Sequence, residues 1–228
     1  MAGVGAKAMM VTGQAGPAML AAYGKATDVR EPAKTKGPEA EALDQLKKDL
    51  KAGRKAAIGD AKSRARERLQ QVIEKLKLIR KLYAEDPKGM AKALAAAAKE
   101  LQGAVKAYAK AAKDAGEMFT QDFAAAPDAS LPPEGQAAAR KDLEEQARAE
   151  AGGDMDFIKN VRSLSNALRD DLQTAKTKGI LTQPGKFERS DEVKDAEDGL
   201  KALDQMTEDL DRQIRRDMPL GSLMKVAA

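Results

Sequence analysis

Between Met90 and Met118 the chain repeats itself every seven residues, and few folds accommodate that. Leu94, Leu101, Tyr108 and Ala115 make one series, and Met90, Ala97, Ala104, Ala111 and Met118 make a second, offset by three and four. Two interleaved seven-residue series stack on one side of an α-helix, which is the seam of a coiled coil. Lys92, Lys99, Lys106 and Lys113 follow the same period at the position furthest from the seam, where a charge stays in water. The nine seam residues are the candidate helix-packing interface, and the lysine row marks the solvent side.

The helix predicted here needs partners, and composition says what kind. Aromatic residues are 3% of the chain, with no Trp, and the 43% hydrophobic content leans on alanine. Alanine removes little area from water, so slender helices packed closely through small side chains suit this chain better than a thick core. Alanine also stands off the seam, at 91, 93, 95, 96, 98, 107, 109 and 112. A helix that is small on nearly every side can be approached from several directions, by a second hairpin of its own chain, another subunit or a foreign helix.

In chain order, residues 1–37 combine glycines and prolines with small residues and show no sustained period, so they read as a flexible or disordered leader. The leader lacks the continuous apolar centre of a classical cleavable signal, and no run in the chain is apolar enough for a transmembrane helix. The expectation is a soluble chain, cytoplasmic or exported without such a signal.

Order is predicted from Pro38, with Glu39 and Glu41 at the helix start and an apolar stripe from Leu43, Leu46 and Leu50 through Leu69, Val72 and Leu76 to Tyr83. Gly53 and Gly59 fall between two heptad registers, where a bend is expected. Asp86 and Pro87 stop this helix and start the next. So short a link forces an antiparallel αα-hairpin over 38–125, with Leu76 and Ile79 beside Leu94 and Met90, and Leu46 and Leu50 near Phe119 and Phe123.

A proline-rich linker follows at 126–135, then a C-terminal helical pair over 136–218 and a tail at 219–228. Gly152 and Gly153 are expected to break the first part of that pair, with Asp154 capping a new helix that carries Phe157, Val161, Leu164, Leu168 and Leu172. Ser190 or Asp191 caps the last helix, and a loop before it tucks Ile180, Leu181 or Phe187 inward. Leu220, Leu223 and Met224 in the tail have the character to pack back. No β pattern occurs. The predicted fold class is all-α, an elongated helical bundle built on the long hairpin plus a shorter C-terminal pair.

The same residues restrict chemistry. With no Cys and no His, thiol nucleophiles, disulfides, Cys/His zinc sites and imidazole catalysis are excluded. The carboxylate clusters lack an EF-hand pattern, and acid-first i, i+4 pairs such as Glu208 with Arg212 read as solvated helix faces. Gly24, Lys25, Ala26 and Thr27 fail the phosphate-loop spacing. No catalytic, cofactor or metal residue is assigned, and none of these patterns points to an enzyme.

Charge is uneven. Residues 47–81 hold thirteen Lys/Arg against four Asp/Glu, a balance of +9, whereas 134–217 hold fifteen against twenty, a balance of −5. Lys47, Lys48, Lys51, Arg54, Lys55, Lys62, Arg64, Arg66 and Arg68 form a candidate polyanion face, although their spacing spreads them around the helix and they lack aromatic stacking partners. The leading expectation is a non-enzymatic structural or adaptor protein, a helical component of a larger assembly that binds a protein partner or itself. Its composition is analogous to that of exported filament or secretion-machine parts. Nucleic-acid or other polyanion binding through 47–81 comes second, and a membrane-active role third.

Overall fold

The computed structural model describes residues 38–125, 131–182 and 185–217, and among these it is all-α. Four helices follow in order: α1 (Pro38–Leu82), α2 (Pro87–Ala124), α3 (Pro133–Thr182) and α4 (Asp191–Asp217). The chain divides into two units, Met1–Lys47 and Lys48–Ala228. The described part of the first is the opening of α1, where Leu43 and Leu46 are exposed. The expected leader, residues 126–130 of the linker and the tail lie outside the described residues, and the expected linker ends early, since 133–135 already belong to α3. Everything below concerns the second unit.

The turn between α1 and α2 forms as its residues dictate. Asp86 accepts a hydrogen bond from the Gly89 amide at 2.9 Å, and Pro87 occupies the first turn, where its missing N–H costs nothing. Side-chain pairs then fix the hairpin register: Lys75 with Glu100, Arg66 with Tyr108, Arg54 with Glu117 and Lys51 with Asp122. Residue numbers fall on one arm as they rise on the other, so the arms are antiparallel. α3 runs parallel to α1, through Lys55 with Gln146 and Arg80 with Asp171. It runs antiparallel to α4, through Arg162 with Asp211 and Lys176 with Glu197.

α2 and α3 form the middle of the bundle, with α1 against one side of the pair and α4 against the other. The backbones of α2 and α4 approach most closely, followed by α2 with α3 and α3 with α4. Alanine explains the ranking. Ala91, Ala95, Ala98 and Ala112 are buried, and a Cβ built on Gly199 of α4 would lie 3.4 Å from Cβ of Ala98. Gln102 Nε2 reaches across to donate to the Gly199 carbonyl at 2.6 Å. α1 stands further off and fills the space with Leu69, Val72 and Leu76.

Two local expectations are corrected. Gly152 and Gly153 do not break the chain: α3 continues through them for 50 residues, and Asp154 is a buried mid-helix residue, not a cap. Packing outweighs the roughly 1 kcal/mol helix penalty of each glycine. Gly179 likewise lies inside α3, buried beneath the ring of Phe187, while Leu181 stays 80% exposed. Of the three residues expected to tuck inward, Phe187 is the one that does. Ser190 caps α4, its Oγ accepting from the Val193 amide at 3.4 Å.

Candidate functional site

All nine seam residues, Met90, Leu94, Ala97, Leu101, Ala104, Tyr108, Ala111, Ala115 and Met118, are buried. They pack against elements of their own chain. The alanines beyond the seam are largely used in the same way, by α4, which leaves α2 one outward face. That face carries Lys92, Ala96, Lys99, Gly103, Lys106, Lys110 and Lys113, all exposed.

The candidate polyanion face divides in three. Lys51 and Arg54 pair with carboxylates of α2, and Lys55 donates to Gln146 of α3. Lys47, Lys48, Arg64 and Arg68 are exposed. Lys62 and Arg66 instead meet a buried polar cluster. Lys62 does not face solvent at all: its side chain is 2% exposed. The positions 58, 62, 65, 69, 72 and 76 share one helical face, and lysine is the exception in an otherwise apolar row.

Around Lys62 the bundle gathers its least expected chemistry. Lys62 Nζ donates to Asp154 Oδ1 at 2.5 Å and to Glu150 Oε1 at 2.7 Å. The Tyr108 hydroxyl donates to the same Asp154 oxygen at 2.7 Å and accepts from Arg66 Nη2 at 2.9 Å. Arg66 Nη2 also lies 3.3 Å from the Gly153 carbonyl, and a Cβ on Gly153 would sit 3.1 Å from that nitrogen. The ring of Tyr108 stacks on Phe157 at 3.7 Å, with the Lys62 ammonium 5.4 Å from its centroid. Lys62 and Arg66 are one turn apart on α1, as Glu150 and Asp154 are on α3, so two i, i+4 pairs meet one tyrosine.

Burial pushes the Asp154 carboxyl above its ordinary value, against the ammonium of Lys62 and the hydrogen bonds from Lys62 and Tyr108. Burial, followed by the adjacent carboxylate, drives the Tyr108 hydroxyl well above the usual phenol range, so it remains a donor. The buried Nζ is held by two carboxylates, and this arrangement fixes how α1, α2 and α3 are aligned. A slip of α1 against α3 would part Lys62 from Asp154, and a slip of α2 would take the Tyr108 hydroxyl from that carboxylate. Among the described residues no group of three acidic side chains is placed to hold a metal ion.

Among the described residues, fold and site together define an all-α bundle of four helices, three of which meet at a buried ionic cluster. Comparison with protein-family profiles, characterised proteins and solved structures finds no match to this chain. No helix among the described residues is long and apolar enough to cross a membrane.

Proposed function

We propose that the protein is a non-enzymatic structural or adaptor component, a helical part of a larger assembly that works through helix–helix packing, with a second copy as its first partner. The observation that carries this reading is a groove that lies, among the described residues, beyond the end of α4. Among the described residues α4 reaches Asp217, beside Gly116, and α2 reaches Ala124. Past that point Phe123, Ala139 and Leu143 line a groove of ≈ 370 Å³ between α2 and α3. Phe123 is 37% exposed, and on α1 Leu50 is 66% exposed.

A groove that continues a helix seat accepts another helix in the same line, and an exposed leucine edge on a helix needs cover. One chain carries both, so two copies satisfy each other. Because the chain has no cysteine, the test has a clean background. Paired Leu50→Cys and Phe123→Cys proteins are expected to form intermolecular disulfides under mild oxidation, and Leu143→Glu in that background to abolish them. Light scattering that finds a strict monomer at high micromolar concentration, with no crosslink, overturns the reading.

A further inference from the structure

We infer that the outward face of α2 is a binding ridge for the phosphate backbone of duplex nucleic acid. Lys92, Lys99, Lys106 and Lys110 are exposed, and among the described residues none of them forms an ion pair. Between them stand Ala96 and Gly103, and a Cβ on Gly103 would meet nothing within 4 Å, so a large ligand can lie close to the helix. The heptad lysines recur about every 10.5 Å, and the free ones from Lys92 to Lys110 span about 27 Å, roughly three quarters of a turn of B-DNA.

The bundle removes the nearest opposing charges. Glu100 is taken by Lys75 at 2.6 Å, and Glu117 by Arg54 at 3.6 Å and Lys113 at 3.9 Å, while Lys88 is held by Glu192 at 3.2 Å. Asp195, Asp198 and Glu208 are exposed on α4 and disfavour a polyanion on that side. On the other side Arg64 and Arg68 of α1 are exposed, so the duplex lies over α2 and leans toward α1. This moves the polyanion surface off the Lys47–Arg68 run, much of which pairs internally, and onto the lysine row of α2.

Nucleic acid suits the ridge better than a protein does. A protein interface needs an apolar anchor at its centre, and this row contains only lysine, alanine and glycine. Neutralising phosphates needs nothing more than cations, and lysine supplies them as point charges without base readout.

The test is fluorescence anisotropy of a labelled 25-base-pair duplex with the full chain across a salt series. Four free lysines predict a slope of log Kobs against log salt of about −3.6, and removing two of them takes away about 1.8. Lys99→Glu with Lys106→Glu is expected to cut affinity at low salt at least tenfold and flatten the slope by that amount. Lys141→Glu with Lys159→Glu, on exposed positions of α3, carries the same net-charge change and is expected to leave most of the binding intact. Absence of binding at low salt, equal losses from both pairs, or lysine-dependent binding to phosphatidylserine vesicles without duplex binding overturns the inference.

Discussion

Replacing Lys62 by methionine keeps the length of the side chain and removes its charge, which isolates the energetics of the buried cluster. Asp154 is then left with an 8% exposed side chain and one remaining strong partner, the Tyr108 hydroxyl at 2.7 Å. Removing one member of a buried ion pair costs about 3–5 kcal/mol, because the other charge stays in the core uncompensated. In urea, with a slope of about 1–3 kcal/mol per molar, that moves the unfolding midpoint down by at least about 1 M.

Lys62→Met with Asp154→Leu removes both charges, and such replacements are neutral or stabilising by about 1–4 kcal/mol. The double variant is therefore expected to unfold near or above the parent midpoint, giving a coupling energy of at least about 3 kcal/mol in the mutant cycle. Urea melts of the four proteins, followed by circular dichroism at 222 nm, read this directly. A loss below about 1 kcal/mol for Lys62→Met, or a double variant as unstable as the sum of its singles, refutes the account of the cluster as a charge lock.

Two further outcomes are expected. The raised Asp154 carboxyl keeps a proton in the folded state that the unfolded chain has released, so its contribution to stability is full below the ordinary carboxylate value and is lost as pH rises through the raised one. Subtracting urea stabilities of Asp154→Asn from those of the parent at each pH is expected to show that decline, and a difference that grows with pH contradicts it. Gly179→Ala drives a methyl into the Phe187 ring and is expected to cost about 1–3 kcal/mol. Phe187→Ala should then cost less in that variant than in the parent, as thermal melts will show; additive losses would refute the contact.

Periodicity and cap chemistry were enough to read α1, α2 and α4, but not the continuity of α3 through Gly152 and Gly153. The Asp86–Pro87 turn, the Ser190 cap and the full seam of α2 are all local patterns in which each residue acts through its neighbours in the chain. What could not be read depends on residues far apart. Nothing near Gly152 and Gly153 signals that Arg66, 87 residues away, approaches the Gly153 carbonyl. Asp154 resembles a cap until Lys62 and Tyr108 are placed beside it.

The alanine surplus of α2 was visible, but whether it served another chain or α4 depended on tertiary packing. One signal was available for the cluster: Lys62 occupies an apolar period position. A charge in a core row demands a partner, and the sequence offers many carboxylates without saying which.

The seat that α2 provides for α4 also orders events during synthesis. Gln102 and Gly199 meet across 97 positions, so α2 leaves the ribosome long before its closest neighbour exists. At about 5–20 residues per second, the alanine face waits roughly 5–20 seconds for α4 to emerge. The hairpin can close at once, because a four-residue link, 83–86, joins its arms, but α2 alone would present Ala91, Ala95 and Ala98 to the solvent or to other nascent chains. A chain of local helices thus acquires a long-range dependence, and α4 completes the burial of α2.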